Sequence, residues 1–164
     1  MESGLNTLAL LAEIMTAFVG FAAIVASLRV SFGEALTDFQ KLLVQFFTVS
    51  GMLGVSVMIL PLVLAEFWND EQTIAKYTII YIVAVSGVYL TVYLRQRFRI
   101  RAPTPKVSAI VMIGYALWLP ILALIAGGLL WDATLGVIAA YGLWALASSV
   151  AIFVYFLREF IHPG

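Results

Sequence analysis

The chain has 164 residues, of which 63% are hydrophobic and 11% charged, with a formal net charge of zero and no cysteine. Soluble domains carry roughly a quarter charged residues, so a mean hydropathy of +1.07 excludes a water-soluble globular protein and makes lipid the solvent. Without cysteine there are no disulfides, no thiol redox chemistry and no thiolate metal sites.

A spanning helix needs about 20 mostly apolar residues, and residues 5–28, 42–65, 73–94, 107–131 and 135–157 each supply such a run. The runs are continuous, not alternating, and far longer than barrel strands. They predict an all-α polytopic bundle of five transmembrane helices forming one domain over 1–164.

The first run contains "NTLALLAEIMTAFVGFAAIVAS". Met1-Glu2-Ser3-Gly4 ahead of it has no positive flank and no small-residue cleavage site follows, so it reads as a retained helix. Steps of three and four along it pick out Asn6, Ala9, Glu13, Thr16, Gly20, Ala23 and Ser27, all small or polar, between larger apolar residues. Small residues let helices approach closely in lipid, so this seam is expected to face protein or water. An acid inside a membrane is a functional hypothesis by default, and Glu13 is the centre of the candidate site.

The linker "VSFGEALTDFQK" is expected to lead amphipathically into the second helix, with Phe32, Leu36 and Phe39 toward lipid. In that helix "SGMLGVS" places Ser50 and Gly54 on a close-approach surface, and Pro61 frees the Val57 carbonyl near Ser56. The third helix carries Tyr77, Tyr81, Tyr89 and Tyr93; the outer two suit headgroup belts, and the deeper two need hydrogen-bond partners. Next comes "RQRFRIRAPTPK", in which Arg95, Arg97, Arg99, Arg101 and Lys106 form a lipid-facing basic cluster for orientation or for anionic headgroups. The fourth helix has Pro120, which frees the Ala116 carbonyl, and ends near Gly127-Gly128; the fifth has Thr134, Tyr141, Ser148 and Tyr155 at sevenfold spacing. His162, the single histidine, has no ligand partner at metal spacing, so no metal or cofactor is expected.

Every Lys and Arg except Lys76 falls on one side of a five-span chain, and Glu66, Asp70, Glu71 and Asp132 share the side of Lys76. The positive-inside rule then places the N-terminus outside and the C-terminus in the cytoplasm. At a rise of about 1.5 Å per residue Glu13 sits roughly 12 Å below the outer interface. Ser56, Tyr81 and Tyr141 come out near that depth, so a polar layer around Glu13 and Thr16 is expected, with Lys76 as a charge partner if its helix is a neighbour. Three states stay open for Glu13: a protonated donor, a pair with Lys76, or an ionised group in a hydrated path.

The piece "LAEIMTAFVGFAAIVASLR", residues 11–29, resembles the first helix of a family of small uncharacterised bacterial inner-membrane proteins, in which a glutamate precedes a Gly-Phe step and a small-residue run ending at a basic residue. The resemblance covers little more than one helix; it implies a bacterial inner-membrane location and brings no activity. "GFAAIVASL" is also similar to the pore helix of calcium-release-activated channels, where the pore glutamate follows the Gly-Phe motif instead of preceding it as Glu13 does.

No nucleophile–base pair, phosphate-cradling loop or pair of intramembrane acids is visible, so no enzyme activity is expected, and the basic cluster has no domain with which to bind nucleic acid. Two readings follow. One is an oligomeric cation or proton channel or transporter using Glu13; the other is a non-conducting subunit or scaffold whose seam docks a membrane-protein partner.

Overall fold

The structure, a computed structural model, describes residues 1–31 and 36–161, and the side chains of residues 1–28 and 36–158. Five helices follow one another: α1 (Glu2–Ser31), α2 (Asp38–Ala65), α3 (Glu71–Arg99), α4 (Lys106–Ala126) and α5 (Leu135–Ile161). Each is long and apolar enough to cross a membrane, giving the all-α, five-helix architecture that the hydropathy predicts.

Local polar chemistry moves the helix ends away from the ends of the apolar runs. α2 starts at Asp38 because the Thr37 hydroxyl accepts from the Gln40 N–H at 3.2 Å while the Gln40 side chain accepts from the Thr37 N–H at 3.0 Å, a capping box. Leu36 and Phe39, expected toward lipid, are instead half-buried against the core; Phe32, expected with them, lies outside the described residues. α3 starts where Asp70 accepts from the Thr73 N–H at 2.8 Å and runs on through the basic segment to Arg99. α4 stops at Ala126, well short of 131. Gly128 there takes a φ of 71°, and the Leu129 N–H returns to the Leu124 carbonyl at 2.9 Å, the left-handed stop that glycine permits.

α2 is the hub, packing on α1, α5 and α3; α4 lies on α3 and α5, and α5 also meets α1 and α3. Among the described residues α1 packs on neither α3 nor α4. Close approach is bought with glycine: a Cβ added at Gly51 would lie 2.2 Å from Val19, and one at Gly54 would lie 2.0 Å from Met15. At one end of the bundle the Met1 amino group pairs with Glu71 at 3.2 Å, and Gln72 donates to Asp132 at 3.0 Å. The start of α1, the α2–α3 link and the α4–α5 turn therefore share that end.

Candidate functional site

The buried face of α1 is Leu8, Leu11, Ala12, Met15, Val19, Ala22 and Ala26, chosen by fit: its larger members seat over the glycines of α2. The polar seam lies on the other side. Asn6, Glu13, Thr16, Gly20 and Ser27 are exposed on the single chain, and Ala9 and Ala23 are half-buried. Beside the seam run Leu10, Ile14, Phe21, Ile24 and Leu28, also exposed. Thr16 and Ser27 turn their hydroxyls back to the Ala12 and Ala23 carbonyls, each at 2.8 Å. Glu13 is different: among the described residues its carboxyl has no hydrogen bond and no ion pair. Above Gly20 nothing lies within 4 Å of an added Cβ, so the middle of the seam is open.

The residues expected around Glu13 are placed elsewhere. Ser56 and Tyr81 do meet each other, with hydroxyls 3.2 Å apart across α2 and α3. Tyr141 turns instead to Ser86, at 2.6 Å across α5 and α3. Lys76 is on α3, which α1 does not pack against, and it lines a groove with Gln72, Trp131 and Asp132. The hub helix α2, together with α5, stands between, so a Glu13–Lys76 pair within one chain has no geometric basis. Of the second-helix surface, Gly54 receives Met15 and Ser50 joins Ser149 of α5 at 3.1 Å.

What the sequence did not single out is the interior set of hydroxyls contributed by Ser86, Tyr115 and Ser149. With Ser50, Tyr89 and Tyr141 they supply hydroxyls from α2, α3, α4 and α5 near a cavity of about 20 Å³ whose lining is mostly apolar, Phe46, Leu53, Val57 and Leu90 among it, with Ser50, Ser86, Tyr89, Tyr115 and Tyr141 as its polar members. That is room for about one water. Among the described residues the Ser148 hydroxyl, buried on α5 beside Tyr115, makes no hydrogen bond of ordinary length and angle. The signal in the sequence was slight: serines in the middle of apolar runs, at "VSGVY" and "ASSVA". No charged side chain lines this cavity, so the interior can hold dipoles and donate or accept protons in hydrogen bonds, while the acid stands outside it.

The basic segment also divides. Arg95, Arg99, Arg101 and Lys106 are exposed, but Arg97 is only 4% exposed and does not face lipid. Its guanidinium donates to the Tyr93 hydroxyl at 3.2 Å and to the Pro103 carbonyl. Arg101, with a φ of 48°, turns the chain back toward it. Because α3 continues to Arg99, Arg95 and Arg99 share a face while Arg97 lies roughly 200° around the helix from Arg95. At the other end, the side chain and then the backbone N–H of Thr73 hold the Asp70 carboxyl below the usual carboxylate range. His162 and the side chain of Arg29 lie outside the described residues. Among the described residues no three His, Asp or Glu side chains cluster as metal ligands do.

No family model, no curated protein and no solved structure matches the chain. The chemistry of the site therefore rests on these residues alone.

Proposed function

We propose that this is a multi-pass protein of a bacterial inner membrane, N-terminus outside and C-terminus cytoplasmic, that works as a homo-oligomer in which Glu13 binds a cation or a proton. The observation that carries the proposal is the position of Glu13: inside a membrane-length helix, exposed on its own chain and without a partner among the described residues. Leaving such a group against hydrocarbon costs several kcal/mol by most estimates, so another surface or water must cover it. Among the described residues the core is filled by large side chains such as Met15, Phe47, Met58 and Ile82. A path between copies, with α1 seams facing one another, places several acids together, and rings of acids select cations. The orientation is supported by the charge distribution, and the membrane assignment by the first-helix resemblance.

A second reading is favoured by Gly20, whose open surface beside Thr16 and Ala23 suits close helix approach. In that reading the seam docks a partner helix in a non-conducting complex and Glu13 serves as a hydrogen-bonding anchor. Purified protein in proteoliposomes separates the two. Conduction predicts cation or proton flux above empty liposomes, abolished by Glu13→Gln with oligomer size unchanged. Wild-type liposomes no leakier than empty ones to any common cation or to protons would overturn conduction, and loss of assembly in Glu13→Gln would favour docking.

A further inference from the structure

At the basic end of the bundle the start of α2 and the end of α3 leave a groove of about 230 Å³, lined by Asp38, Lys41, Gln45, Gln96 and Arg99, with Leu42 and Ile100 as its apolar floor. We propose that this groove binds one anionic phospholipid, its phosphodiester between Lys41 and Arg99. Charge is the first argument. Two cations and one carboxylate leave +1 in the groove, which a phosphodiester of charge −1 neutralises. Lys41 does meet Asp38 at 3.2 Å, but both side chains are largely exposed, at 63% and 76%. Such pairs hold weakly, so Lys41 can swing to a phosphate. Gln45 and Gln96 add amide donors and, for a glycerol headgroup, acceptors.

The second argument is the track that leads away from the groove. On α2 the face that carries Asp38, Lys41 and Gln45 continues as Val49 and Met52; on α3 the face of Arg99 and Gln96 continues as Val92 and Val88. All four of these apolar residues are exposed. A headgroup held at Lys41 and Arg99 thus has an acyl chain's route laid out below it, down the outside of the same two helices. Arg97, turned inward to Tyr93 and Pro103, takes no part. The proposal rests on membrane embedding and not on ion conduction, so either can fail without the other.

The test is lipid retention by the full-length protein, read by native mass spectrometry after exchange into nanodiscs containing phosphatidylglycerol with either phosphatidylcholine or phosphatidylethanolamine. Wild type is expected to retain phosphatidylglycerol preferentially. A basic residue near the surface is worth about 1 kcal/mol, so Lys41→Gln and Arg99→Gln should each lower retention about fivefold. Arg158→Gln, which removes an exposed charge of the same sign from α5, should change it less than about twofold. Size-exclusion profiles and thermal unfolding confirm that the variants fold. Equal retention of the zwitterionic lipids, or an equal loss with Arg158→Gln, would overturn the site in favour of diffuse surface charge. Displacement of the lipid by millimolar inorganic phosphate would overturn the lipid assignment in favour of a free-anion site.

Discussion

The outward seam of α1 and the hydroxyls inside the bundle are both polar regions of membrane-length helices, but they find their partners differently. Inside, Ser86 meets Tyr141, Ser50 meets Ser149 and Ser56 meets Tyr81, each pair joining two helices. On α1 the Thr16 and Ser27 hydroxyls donate back to carbonyls of their own helix, and among the described residues the acid has no such bond. Neutral dipoles can be paid off by one neighbour apiece, whereas an acid needs a proton, a cation or water. The difference teaches that the interior hydroxyls tie helices of this chain together, whereas the acid of the seam is left without a counterpart among the described residues.

The largest effect should come from breaking the surface that separates the two regions. Gly54→Leu pushes into Met15 at the α1–α2 contact and is expected to destabilise the fold by about 3 kcal/mol, measured by unfolding in mixed micelles. At Gly20, on the seam, an added Cβ meets nothing within 4 Å among the described residues, and Gly20→Leu extends into that open side. It should leave that unfolding curve in place while reducing assembly, measured by light scattering of the protein–detergent complex. If the two glycines behave alike, the seam is not an outer surface.

A smaller effect tests the inside. Tyr141→Phe removes the 2.6 Å bond to Ser86 and should cost about 1 kcal/mol, since hydrogen bonds between membrane helices are modest; flux, if wild type shows it, should persist. Glu13→Gln sharpens the comparison from the other side, because no partner within the chain is lost. Its unfolding should shift by less than about 0.5 kcal/mol even where flux or assembly changes.

The smallest effect lies outside both regions. The Asp70 carboxyl is held below its ordinary range by Thr73, so ionised Asp70 stabilises the start of α3 at pH values above the unfolded carboxylate range. That contribution disappears as pH falls through its lowered folded value. Asp70→Ser, which keeps a cap without a titrating group, should flatten this acid dependence in thermal unfolding and leave the interior pairs untouched.

Five apolar runs were legible in the sequence because twenty-odd residues of hydrocarbon thickness leave so few alternatives. The seam was legible too, as a periodicity. Its direction was not, because the rule that small and polar faces seek protein does not say whose protein. Within this chain the contact went to Met15 and Val19, whose fit depends on glycines in another helix. Arg97 and Arg95 are equally basic on the page; only the continuation of α3 to Arg99 and the return of the Pro103 carbonyl tell them apart. The pairing of Tyr141 with Ser86 depended on which helices are neighbours, and depth alone does not supply that.

The way α1 is held also sets an order of events during synthesis. Of the five helices α1 is made before the others and α5 after them, and among the described residues α1 rests on α2 and α5 alone. At about 5–20 residues per second the interval between them is on the order of ten seconds. Through that time the α1–α2 hairpin must stand with the surface that will receive Phe153 of α5 uncovered at Phe18 and Phe47. Closure of the α1–α5 contact therefore waits for α5, and a variant lacking α5 should leave Phe18 and Phe47 uncovered while α1 keeps its contact with α2.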